Sequence, residues 1–79
     1  MSDEYKPISC ALYSQFELWI MHGDQIRLAW HTEDNVTRME RVAPIDVRAE
    51  SGVEYLYFHD ANTKPGRVRL DYIVEASAC

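Results

Sequence analysis

The apolar residues of this chain change their period at Gln25, and that change limits the fold more than any other feature. From there Ile26, Leu28 and Trp30 alternate with Arg27, Ala29 and His31. Side chains of an extended strand point to opposite faces in turn, so this alternation marks a strand with one buried face. Val53–His59 repeats the signal in residues rich in β-branched and aromatic types, and Arg67–Ala76 places Val68, Leu70, Tyr72 and Val74 on one side. Glu33-Asp34-Asn35, Ala49-Glu50-Ser51-Gly52 and Asp60–Gly66 supply the turns between. Val36–Ala43 reads as a further strand with mixed faces. Pro44 cannot donate to a ladder and predicts an edge or a break there, after which extended chain resumes over Ile45–Arg48.

Before Gln25 the spacing is helical. Ser9 can cap a helix that begins at Cys10, with Leu12, Phe16 and Trp19 or Ile20 recurring at intervals of three and four. The pattern turns apolar on all sides at Leu18–Met21, which predicts that the helix stops near Phe16 and passes into extended chain. His22-Gly23-Asp24 then marks a turn. With 79 residues the chain has room for a single core. The expected organisation is a flexible lead-in over 1–9, one domain over 10–76 and a tail over 77–79. The expected class is mainly β with a minor α part: one N-terminal helix and about five strands curled into a small barrel that hides its edges.

Charge and chemistry narrow the function. Thirteen acidic residues face eight basic ones, giving a net charge of −5. Nucleic-acid binders gain affinity from Lys and Arg on phosphates, so direct nucleic-acid binding is disfavoured unless a local basic patch overrides the sum. Arg67 and Arg69 form such a pair, but Asp71 continues their row and predicts surface ion pairing instead. An acidic surface suits a basic protein partner. His22, His31 and His59 share no ligand spacing with each other or with a cysteine, and the three glycines form no phosphate-cradling cluster. Neither a metal nor another cofactor is expected. Glu17 and Asp71 are the carboxylates that could meet in a cleft, but nothing pairs a nucleophile with a base, and the chain is read as not an enzyme. Cys10 and Cys79 do not resemble a structural bridge, which together with the absence of a signal-peptide pattern predicts a cytoplasmic protein. No stretch approaches the roughly 18 apolar residues of a membrane span.

Three stretches resemble one family. They are Tyr5-Lys6-Pro7-Ile8-Ser9-Cys10 with Tyr13 and the pair Glu17-Leu18, then Val53-Glu54-Tyr55-Leu56, then Arg69-Leu70-Asp71 with Ile73. In order and spacing they resemble the Rho-binding antiterminator (Rof) family over residues 5–74. The resemblance implies an Sm-like small barrel behind a helix. It also implies binding to the N-terminal RNA-binding domain of the transcription termination factor Rho, in competition with single-stranded RNA, so that termination is relieved. The family's helix usually carries aspartates where this chain has Ala11, Leu12 and Ser14, which leaves Glu17 with Asp3 and Glu4 of the lead-in. Basic residues are common in the loop before Val53, where this chain has Glu50.

The partner contacts expected on this reading are Tyr13, Ser14, Gln15, Glu17, Asp46 and Glu50. Cys10, Phe16, Trp30, Leu56 and Leu70 are expected in the core. The free protein is expected to be monomeric. Two other readings are an Sm-like module that binds RNA directly and an adaptor for another basic protein.

Overall fold

The structure, a computed structural model, describes residues 5–79. Helix α1 spans Cys10–His22, followed by β1 (Ile26–His31), β2 (Thr37–Glu50), β3 (Val53–Asp60), β4 (Pro65–Arg69), a 3-10 turn at Leu70–Tyr72, and β5 (Ile73–Ala78). The strands form one antiparallel sheet in the order β4-β3-β2-β1-β5. This is the mainly-β class with an N-terminal helix. No helix among the described residues is long and apolar enough to cross a membrane.

Connectivity shows why the sheet must curl. β4 and β5 occupy opposite edges, four strand spacings or about 19 Å apart in a flat sheet. The passage from Arg69 to Ile73 runs through the 3-10 turn, which advances about 2 Å per residue and covers only about 8 Å. The two edges are therefore drawn toward each other. Leu70 is fully buried at this crossing. The single strand expected over Arg67–Ala76 is in fact two strands on different edges, and Val74, expected on the apolar side, is 55% exposed because the turn resets the alternation.

β2 is long enough to serve both halves of the curled sheet. Thr37–Val42 pairs with β1, and Val42–Glu50 pairs with β3. Of the edge or break predicted at Pro44, the strand does not break but runs through it with one side open, since pairing with β1 ends at Val42, and the register with β3 shifts by one residue between Pro44 and Asp46. A bulge at Ile45 leaves one residue unpaired, which accommodates the donor that proline lacks and bends the strand. Ser51 (φ 53°) and Gly52 (φ 82°) then reverse the chain with left-handed backbone at both central positions, the geometry that matches the twist of a two-residue hairpin.

The helix also differs from its expected length. Ser9 Oγ accepts from Leu12 N at 3.2 Å, as a cap should, but α1 continues beyond Phe16 to His22 and ends at Gly23 (φ 71°). Phe16 and Trp19 enter the core edge to face, with centroids 5.7 Å apart. They meet Ile26, Leu28, Val42, Leu56, Phe58, Val68 and Leu70 from the strands and the 3-10 turn. Cys10, expected in the core, is exposed, and so is Cys79; both are free thiols. Trp30 is half-buried and packs against Phe58.

Asp3 and Glu4 of the lead-in lie outside the described residues. Tyr5–Ser9 has no regular structure, yet it is anchored rather than loose. Tyr5 Oη donates to Glu54 Oε1 at 2.8 Å, Lys6 N donates to Asp71 Oδ2 at 3.2 Å, and Ile8 packs on the core. At the other end, the tail expected over 77–79 is largely strand: Ser77 and Ala78 pair with Arg27 and Ile26.

Candidate functional site

The Ile45 bulge and the extra length of α1 together build a groove. Its walls are Glu17 from the helix and Asp46 from β2, and Ile20, Met21 and Val47 supply apolar surface between them, around a volume of about 260 Å³. Glu17 is exposed and makes no ion pair among the described residues. Asp46 is fixed by Arg48 Nε at 2.8 Å and by the backbone N–H of Val47 at 2.9 Å. The hydrogen bond from Arg48 holds the Asp46 carboxyl below its ordinary pKa, with the Val47 N–H adding to the effect. The groove thus carries the unpaired carboxylate of Glu17 on one rim and the Arg48-paired carboxylate of Asp46 on the other, over an apolar floor, a form suited to a long cationic side chain whose stem lies on carbon and whose head meets Glu17.

Tyr13 lies one turn before Glu17 on the same flank of α1. Burial raises the pKa of its phenol, and the negative charges of Glu54, Glu17 and Asp46 add to the rise in that order. Three of the residues singled out from the sequence, Tyr13, Glu17 and Asp46, therefore belong to one acidic surface. Ser14 is exposed on the same flank. Gln15 is separated from them: a helix turns about 100° per residue, so Gln15 stands about 160° around the axis from Glu17.

Glu50 is separated as well. It ends β2, four residues beyond Asp46 or about 13 Å along an extended strand. There it accepts from Tyr57 Oη in a short hydrogen bond and from Arg67 Nη1 at 3.1 Å. Tyr57, and then Arg67, hold its carboxyl below the ordinary value. Like Asp46, Glu50 is a carboxylate already held by an arginine, and it differs in not lining the groove.

Glu17 lines the groove between α1 and β2, and Asp71 does not. Asp71 is clamped by Arg69 through Nε at 3.0 Å and Nη2 at 2.8 Å, with both side chains mostly buried. The ion pairing expected of the Arg67 and Arg69 row is therefore present, Arg67 turning to Glu50 and Arg69 to Asp71. No group of three or more His, Cys, Asp or Glu side chains placed to hold a metal occurs among the described residues.

Sequence reasoning missed the exposed apolar surface in and near the groove, of which Met21 is the member that lines it. Leu18 (45% exposed), Met21 (76%) and Ile45 (43%) lie in the open. The signal was the all-round apolar run Leu18–Met21, which was read as the end of a helix. It is a helix whose solvent side is also apolar, and exposed apolar surface rimmed by charge is a feature of contact sites.

No family model matches the sequence, and no curated protein matches it. Among solved structures the fold is similar to proteasome accessory factor B/C (PafBC) of Arthrobacter aurescens, with a TM-score of 0.77 and 14% sequence identity. The likeness covers 92% of this chain and 12% of that one, so the chain spans a small part of the length of PafBC, and at this identity it shows the fold alone.

Proposed function

We propose that this chain inhibits Rho-dependent transcription termination, as a cytoplasmic, non-enzymatic protein that covers the N-terminal RNA-binding domain of Rho and competes there with single-stranded RNA. The reading starts from the motif resemblance over residues 5–74. The observation that carries it further is the groove between α1 and β2, with Glu17 and Asp46 on its rims and Tyr13 beside it. A site that takes up single strands combines cations with surfaces on which bases stack. Carboxylates answer the cations, and Tyr13 with the exposed apolar side of α1 answers the stacking surfaces. Both ligands then need the same atoms of Rho. Tyr13, Glu17 and Asp46 are the proposed anchors; Ser14 is peripheral, Gln15 faces away from them, and Glu50 contributes through its hold on Arg67 and Tyr57.

The direct test is competition. Purified chain should displace a labelled oligocytidylate from the isolated N-terminal domain of Rho at low salt, and should restore read-through in a reconstituted termination reaction. If Rho's domain holds its RNA unchanged while the chain is present in excess, the proposal fails.

A further inference from the structure

The six arginines of the chain are not used alike. Arg38, Arg48, Arg67 and Arg69 each form an ion pair, with Glu40 at 3.2 Å, Asp46 at 2.8 Å, Glu50 at 3.1 Å and Asp71 at 2.8 Å. Arg27 and Arg41 form none among the described residues. These two stand directly opposite each other on β1 and β2, on the sheet face turned away from the core, and both are exposed. Side chains so placed have Cβ atoms about 5 Å apart, and like charges there repel. A chain with thirteen acidic residues thus leaves its two unmatched guanidinium groups in an arrangement that costs stability.

The pair belongs to a row that crosses three strands: Arg41, Arg27 and Ser77, the last facing Arg27 from β5. The next row on the same face is Met39, Ala29 and Glu75. Ala29 is short and only 5% exposed, so the sheet dips there into a depression of about 140 Å³ whose lining includes Arg27, Met39, Glu75 and Ser77. Met39 stands beside it 69% exposed. One row thus offers two guanidinium groups and a hydroxyl, and its neighbour, two residues or about 7 Å along the strands, offers apolar surface.

We infer that this face docks an acidic peptide segment of another protein, with a carboxylate seated on Arg27 and Arg41 beside the Ser77 hydroxyl and an apolar side chain two residues away lying on Met39 and Ala29. A guanidinium donates two parallel N–H bonds to a carboxylate, and a carboxylate between two such groups replaces their repulsion by two attractions. Glu75 selects peptide over nucleic acid. It lies in the apolar row, where the next phosphate of a strand would meet a like charge and an apolar side chain does not. The depression shares no lining residue with the groove between α1 and β2, so the inference is independent of the proposed contact with Rho, and the failure of either leaves the other standing.

The test uses the full chain, labelled with nitrogen-15 and titrated at low salt with the acetylated, amidated pentapeptide Glu-Ser-Leu-Ser-Glu, which sets carboxylates and an apolar side chain two residues apart. The same peptide with glutamine for glutamate, and a short oligouridylate, are the other arms. The amides of Arg27, Ala29, Met39, Arg41 and Ser77 should move with the glutamate peptide alone, while those of α1 stay in place. Arg27→Gln and Arg41→Gln should each weaken binding about threefold, the scale of an exposed ion pair. Neither should lower the thermal midpoint, since each relieves the repulsion between the two. A lowered midpoint would show that the arginines serve the fold and would overturn the inference. Equal binding of the glutamine peptide, signals confined to α1, or affinity untouched by both substitutions would overturn it as well. Tighter binding of oligouridylate at the same residues would overturn the choice of a peptide, and the same signals moving on dilution of the chain alone would assign the face to a second copy instead.

Discussion

Two single residues carry much of what is specific here. Gly66 pairs with Phe58 across β3 and β4, and a Cβ placed on it would stand 2.9 Å from the Phe58 ring. That ring is 6% exposed and braced by Trp30, so it has little room to retreat. Gly66→Ala should cost about 1–3 kcal/mol in urea denaturation, the usual penalty for overpacking. In a Phe58→Leu background the penalty should shrink, and equal penalties in the two backgrounds would refute the clash. Glu17 is the counterpart at the surface. Being exposed and unpaired among the described residues, it is dispensable for the fold. Glu17→Lys should leave the thermal melt unchanged and abolish the proposed relief of Rho-dependent termination, because reversed charge repels a basic groove as well as removing an attraction. Retained inhibition by the variant would remove Glu17 from the interface.

Among the elements, α1 and β2 both exceed what their residues announce locally. The helix was legible at its start, where Ser9 followed by a period of three and four is an unambiguous signal, and Ser9→Ala should cost about 1 kcal/mol by loss of the cap. Chemical denaturation measures this, and an unchanged midpoint would show that the cap is redundant. Its end was not legible, because an apolar run without period is consistent with either a helix or a strand. β2 was split at Pro44 for a sound local reason, the missing donor. A bulge satisfies the same constraint without ending the strand, and bulges depend on the partner strand, which a reading of one segment does not contain. The division of residues 65–78 into two strands has a similar cause. Leu70 continues the alternation of β4 perfectly, and only the competing demands of two sheet edges turn the chain there.

For the molecule as a whole, class, helix-first order and strand number were legible because they depend on periodicity and turn chemistry. The site was legible only in part. Tyr13, Glu17 and Asp46 converge, whereas Glu50 is taken up by Arg67 and Tyr57 from other strands, a pairing set by register rather than by nearness in sequence. Net charge acts at this scale too. An acidic protein approaching a cationic groove is steered by the summed field, which salt screens over about 8 Å at physiological ionic strength. On the proposed function, the association rate with the N-terminal domain of Rho should therefore fall steeply between low and physiological salt while dissociation changes less, as stopped-flow measurement would show. A rate indifferent to salt would argue that the acidic rims are bystanders.

The placement of β5 beside β1 also bears on how the molecule is made. A ribosome delivers β2, β3 and β4 in the order in which each can add to its predecessor, but the outer side of β1 waits until residue 78 has emerged. Until that moment a nascent chain carries an unfilled hydrogen-bonding edge, and Ile26 and Leu28 lack part of their cover. The final half-dozen residues of β5 thus decide when the product becomes safe from pairing with its neighbours.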